Sequence, residues 1–249
     1  MSAYFRGRDG LELAYRVVGD GRPLVLFHGF TSSSAEWLGF ARTARGHRVI
    51  LPDLRGHGDS ARPHDPAAYP PDVLVDDGLA LVENLGLDDY DLGGYSLGGR
   101  VALRMLVRGA RPARVVVAGQ GLDAVTRPRR PTSLYRRLLT ALIEGDELEP
   151  GSPEAEAAGW IKGDPRAFRN VLDSLVPTPA GALTGLTTPA LVLIGDRDTG
   201  NADALASALP DARLAEVPGN HYTAQHHPEL ANAILTFLGD RRTECEKPS

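Results

Sequence analysis

The chain has 249 residues, 42% of them hydrophobic, and a formal net charge of −5. This is enough apolar material for one substantial core, and the negative charge argues against a general nucleic-acid binder, which needs clustered positive charge to hold a phosphate backbone. The lone cysteine, Cys245, excludes an intrachain disulfide, and no apolar run approaches the roughly 18 residues of a membrane span or opens the chain as a leader, so a soluble cytoplasmic protein acting on a small molecule is expected.

Residues 3–18 read as two strands joined at Arg8-Asp9-Gly10, an Asp-Gly turn suited to a tight hairpin. After Gly19-Asp20-Gly21, residues 24–27 form a short continuous apolar run, the pattern of a strand buried on both faces, and lead into His28-Gly29-Phe30. The Ser-rich segment 31–34 can cap a helix over 35–45. Residues 49–52 are the next strand, followed by the polar loop Asp53-Leu54-Arg55-Gly56-His57-Gly58-Asp59-Ser60. A helix is predicted over 73–85 with Asp72 as its cap, then a strand over 88–92, a helix over 101–107 and a buried strand over 114–118. Strands alternating with helices imply a mostly parallel sheet covered on both faces.

From 123 to 185 the strand signals vanish, prolines cluster, and short amphipathic stretches appear at 134–143 and 165–175. This predicts a small helical cap inserted into a core built from 1–122 and 186–240. The alternating pattern resumes with a strand over 190–194, a helix over 202–209, a strand over 213–217 and a helix over 229–238, ahead of a charged, flexible tail at 241–249.

Between the strand over 88–92 and the helix over 101–107, Gly94-Tyr95-Ser96-Leu97-Gly98 matches G-x-S-x-G. A Gly-Ser-Gly turn alone is more often a loop than a nucleophile, but the strand before and helix after place a serine hydroxyl at a strained turn above free helix N–H groups. Such a hydroxyl needs a base to take its proton and an anion to hold that base. Of the seven histidines, His221 follows a predicted strand in Pro218-Gly219-Asn220-His221, at the sheet edge that would carry Ser96. His28 and His57 belong to loops shaping the pocket, and His226 and His227 read as surface residues. The acid is expected in Gly195-Asp196-Arg197-Asp198, with Asp198 preferred, Asp196 second and Asp123 third. The order Ser96, Asp198, His221 is a known order of nucleophile, acid and base. Backbone N–H groups of Phe30 and Leu97 are the expected oxyanion donors, and Tyr95, Arg100 and Trp160 the expected substrate contacts.

His28-Gly29-Phe30, Asp53-x-Arg55-Gly56-x-Gly58-x-Ser60, Gly94-Tyr95-Ser96-Leu97-Gly98-Gly99, Gly195-x-x-Asp198 and Gly219-Asn220-His221 together resemble the α/β-hydrolase superfamily, in its order and over nearly the whole chain. The resemblance implies an eight-stranded, mostly parallel sheet flanked by helices, a cap after the sixth strand, and a Ser-Asp-His triad that needs no cofactor. Serine at 96 argues against the haloalkane dehalogenases and epoxide hydrolases of the superfamily, which use a carboxylate nucleophile. Hydrolysis of an ester or related acyl bond is the leading expectation. Gly94 to Arg100 is also similar to the menaquinone-pathway synthase that eliminates pyruvate from a cyclohexene carboxylate, where arginines hold substrate carboxylates. Arg100 fits that role, and Arg127, Arg129, Arg130, Arg136 and Arg137 could add charge. A slow-turnover ligand-binding protein of the same fold is a third expectation. Gly119-x-Gly121-x-x-Ala124 imitates a dinucleotide fingerprint, but Pro128 and Pro131 prevent the long helix it requires, and no metal-ligand spacing occurs.

Overall fold

The computed structural model of the protein describes residues 2–127 and 133–239. Pro128, Arg129, Arg130, Pro131, Cys245 and the 241–249 tail lie outside the described residues. The hairpin predicted at the start is formed by β1 (Ala3–Arg6) and β2 (Glu12–Val18), which pair antiparallel. The apolar runs become β3 (Arg22–Phe27), β4 (His47–Pro52), β5 (Asp91–Tyr95), β6 (Arg114–Ala118), β7 (Ala190–Gly195) and β8 (Ala212–Val217). They build one eight-stranded sheet in the order β1-β2-β4-β3-β5-β6-β7-β8, parallel from β4 onward. β5 thus stands near the middle of the sheet.

Helices cover both faces, which is why the central strands are apolar without interruption. Side chains alternate along a strand, so Leu24 and Leu26 of β3 pack with Trp37, Phe40, Ile234 and Phe237 on one face, while Val25 and Phe27 pack with Leu74, Leu81, Val101 and Met105 on the other. The first face carries α1 (Leu38–Thr43) and α10 (Pro228–Gly239); the second carries α2 (Val73–Asn84), α3 (Leu97–Val107) and α9 (Ala202–Ala208). Between β6 and β7 run α4 (Leu122–Thr126), α5 (Leu134–Glu144), α6 (Pro153–Ala158), α7 (Pro165–Ser174) and α8 (Ala180–Leu183). Leu139, Phe168 and Leu172 form a small core there, with Phe30 from the loop after β3 packed against it.

Four local expectations are corrected. The strand expected at 88–92 is Asp91–Tyr95, so Gly93 and Gly94 lie inside it. Propensity disfavours glycine there, but Gly94 pairs with both Phe27 and Val117, and a Cβ on it would sit 2.3 Å from the Gly98 carbonyl carbon. The helix expected from 101 accordingly starts at Leu97, and its first turn lies so close to β3 that a Cβ on Gly98 would meet the Phe27 oxygen at 2.4 Å. Asp72 does not cap α2 through its side chain; its backbone is left-handed at φ 67° and its carboxylate is taken by Arg104 at 2.6 Å and Arg108 at 3.1 Å. Nor does the Ser-rich segment cap a helix over 35–45 by a side chain. A 3-10 turn at Ser34–Trp37 precedes α1, and the Ser34 N–H donates to Asp53 Oδ1 at 2.5 Å.

Candidate active site

β5 ends at Tyr95 and α3 begins at Leu97, so Ser96 alone must turn the chain, at φ 51° and ψ −112°. A non-glycine residue held there costs on the order of 1–3 kcal/mol and persists only when its surroundings enforce it. Here the Ser96 N–H donates to the Ala118 carbonyl at 2.8 Å, and the Ser96 carbonyl accepts from the Arg100 N–H at 3.1 Å and from Gln120 Nε2 at 2.5 Å. Gln120 is thus a clamp on the strained turn. Sequence reading passed over it, because the segment after β6 attracted notice only as a false dinucleotide motif.

The structure brings the three predicted polar groups together. Ser96 Oγ lies 2.9 Å from His221 Nε2, and His221 Nδ1 lies 2.8 Å from Asp198 Oδ2. The Asp198 side chain is 8% exposed and that of His221 is 35% exposed, so the acid is shielded while the imidazole faces open space. Burial pushes the Asp198 carboxyl up, but the hydrogen bond and charge of His221, with backbone N–H groups of Gly200 and Thr199, outweigh it and leave it below the usual carboxylate value. A carboxylate held ionised fixes the Nδ1–H tautomer of His221 and frees Nε2 to accept the serine proton.

Asp196 and Asp123 do other work. Asp196 Oδ1 accepts from the Gly219 N–H at 2.8 Å, tying the β7 loop to the β8 loop, and Asp123 pairs with Arg127 at 3.2 Å. His28 and His57 are buried and stand away from the proton path. His28 Nε2 accepts from the Leu54 N–H at 3.0 Å, and His57 Nε2 from the Thr31 N–H at 3.3 Å. Each Nδ1 then donates to a carbonyl, Gly29 for His28 and Arg55 for His57, so both are neutral cross-braces under the Phe30 turn. Burial holds both below the ordinary histidine value. Among the described residues, the N–H groups of Phe30 and Leu97 have no hydrogen-bond partner.

A cavity of about 980 Å³ opens over Ser96, lined also by Phe30, Tyr95, Asp198, His221 and Trp160. Tyr95 is buried beneath it and its hydroxyl donates to the His221 carbonyl at 2.7 Å. Burial and the Asp198 charge push that hydroxyl up, keeping it a donor. Trp160 is 49% exposed and packs on Tyr222 with ring centroids 4.3 Å apart. Arg100 is a correction: it is buried and off the cavity wall, and its guanidinium donates to the carbonyls of Ala124 and Val176 because α3 turns that position inward beneath α4. Arg127, Arg136 and Arg137 pair with Asp123, Asp173 and Glu154, and none lines the cavity; Arg129 and Arg130 lie outside the described residues. Among the described residues no group of three or more His, Cys, Asp or Glu side chains is arranged to hold a metal, and no helix is long and apolar enough to cross a membrane.

The sequence model of the alpha/beta hydrolase fold matches residues 22–118. A non-heme haloperoxidase from Rhodococcus erythropolis is 40% identical over 92% of this chain and 97% of that protein. The chain belongs to the α/β-hydrolase family. A 2-hydroxymuconate semialdehyde hydrolase from Pseudomonas sp. (strain CF600) is 32% identical over 89% of this hydrolase and 88% of its own length. Among solved structures, a thermophilic esterase from Thermogutta terrifontis superposes with a TM-score of 0.77 and 26% identity, covering 96% of this chain and 98% of that one.

Proposed function

We propose that this α/β-hydrolase cleaves a small carboxylic ester through an acyl-enzyme intermediate on Ser96. The observation that carries the reading is the continuous hydrogen-bonded line from Ser96 Oγ through His221 to Asp198, at 2.9 and 2.8 Å, with the Ser96 hydroxyl on the floor of an open cavity. His221 Nε2 takes the serine proton as Oγ attacks the ester carbonyl, and the oxyanion is held by the N–H groups of Phe30 and Leu97. The protonated imidazole then gives its proton to the departing alcohol. Water, deprotonated by the same Nε2, attacks the acyl-enzyme and releases the acid, returning Ser96 to its starting state. The helices from α5 to α8 act as a cap over the cavity, with Trp160 bounding the substrate and Tyr95 holding the His221 loop from below. The burial of Arg100 leaves the lyase alternative without the arginine that favoured it. Ser96→Ala should abolish p-nitrophenyl acetate hydrolysis and covalent labelling by a fluorophosphonate while keeping the circular dichroism spectrum; undiminished turnover by that variant would refute the assignment.

A further inference from the structure

The cavity wall carries charges of both signs, but they differ in how they are partnered. Its carboxylates are engaged from within the protein: Glu36 by Ser32 Oγ at 3.0 Å and His226 at 3.2 Å, Asp123 by Arg127, and Asp198 by His221. Two cations that line the same cavity, Arg62 and Lys162, have no carboxylate within ion-pair distance among the described residues. Arg62 donates instead to the neutral carbonyl of Gly58. Asp59 feels the charge of Arg62 but is held by Arg16 at 3.0 Å and Ser2 at 2.7 Å. Arg62 also lines a second, shallower depression of about 510 Å³ that carries Arg166 together with Asp164, whose carboxylate is engaged by His64. Cations whose charge no carboxylate of the protein neutralises attract an anion entering there.

Topology gives this charge a direction. Ser96 follows β5; Arg62 belongs to the loop after β4, on one side of it, and His221 to the loop after β8, on the other. The alcohol that leaves must be within reach of His221 Nε2, and Arg62 stands on the side of Ser96 away from the His221 loop. Lys162, in the connection between α6 and α7, lines the same cavity.

We propose that Arg62 and Lys162 form a carboxylate subsite, so that the preferred substrates are esters of an acyl group that ends in a second carboxylate. This rests on Ser96 being the nucleophile. The test is to compare kcat/KM for mono-p-nitrophenyl glutarate and for p-nitrophenyl pentanoate in the wild type, Arg62→Gln, Lys162→Gln and the double variant. Two solvent-facing ion pairs predict that the glutarate-to-pentanoate ratio falls by about five- to tenfold in the double variant, through KM, and that about 0.5 M NaCl, well above physiological ionic strength, reproduces part of the fall in the wild type. A ratio that the double variant leaves unchanged overturns the subsite, whatever the absolute rates. If the wild type turns over neither ester, the Ser96 reading fails by itself, and the subsite is judged by calorimetry with free glutarate: binding that the double variant loses supports it, and no binding to the wild type overturns it.

Discussion

The Tyr95 hydroxyl donates to the backbone carbonyl of His221 at 2.7 Å, joining the residue before the serine to the residue carrying the imidazole across 126 positions of chain. The hydroxyl is buried and its ring lies beside that of His221, with centroids 5.6 Å apart. It therefore sets where the His221 loop sits relative to Ser96. Tyr95→Phe removes the hydrogen bond and keeps the ring, so kcat for p-nitrophenyl acetate should fall by roughly fivefold, the equivalent of one hydrogen bond of about 1 kcal/mol, with KM nearly constant. A change confined to KM would mean that Tyr95 meets substrate instead of positioning the imidazole.

Asp198 and Asp196 are two residues apart and do different things, one hydrogen-bonded to His221 and the other to the Gly219 N–H. Asp198→Asn should lower kcat by about 10³-fold or more, because an amide no longer enforces the tautomer or offsets the imidazolium. Asp196→Asn retains an oxygen that can accept from Gly219 and should cost less than about tenfold. Steady-state rates of the two variants decide the ranking, and its reversal would move the acid to Asp196.

The buried pair His28 and His57 makes stability depend on pH. Burial holds both below the ordinary value of 6.5, and the charge of His28 opposes protonation of His57 further. Below about pH 6.5 the unfolded chain binds protons that the native state refuses, so stability is complete above that pH and is lost as pH falls toward the native values. The slope should reach at most about 1.4 kcal/mol per pH unit for each histidine. Urea unfolding at pH 7 and pH 5 should show the loss, with a shallower dependence in His57→Gln, whose side-chain oxygen can still accept from Thr31. Equal slopes in the two proteins would remove His57 as the cause.

Arg55 shows what the polar loop after β4 does besides shape the pocket. It is buried, bonds Asp77 through Nε at 2.9 Å and Nη2 at 2.8 Å, and reaches Asp9 at 2.6 Å, stitching the β1–β2 turn and α2 to the loop. Burial pushes the Asp77 carboxyl up to about 6 despite Arg55 acting the other way. Arg55→Met should destabilise the protein by about 3–5 kcal/mol, since Asp77 is left buried without its cation, and adding Asp77→Asn should restore part of the loss. Thermal unfolding of the single and double variants tests the coupling; additive losses would show that the two side chains do not act as a pair.

Much of the fold is legible in the linear order of residues because it depends on local physics. Continuous apolar runs at β3, β6 and β7 mark strands buried on both faces, and the glycines around Ser96 mark a turn with no room for side chains. Ser96, Asp198 and His221 could be singled out because each follows a strand in a short polar turn. Tertiary structure decided what periodicity does not encode. Gly93 and Gly94 are strand residues only because β3 and β6 flank them, and Asp72 meets Arg104 and Arg108 because α2 and α3 lie side by side. Arg100 points beneath α4 instead of into the cavity, while Gln120 reaches the Ser96 carbonyl and Arg62 and Lys162, 100 positions apart in the chain, line one cavity. The physical reason is common to all of these: a side chain's own neighbours set its backbone conformation, but its partners are chosen by how distant elements pack, and that choice is made only when the sheet and its helices close on one another.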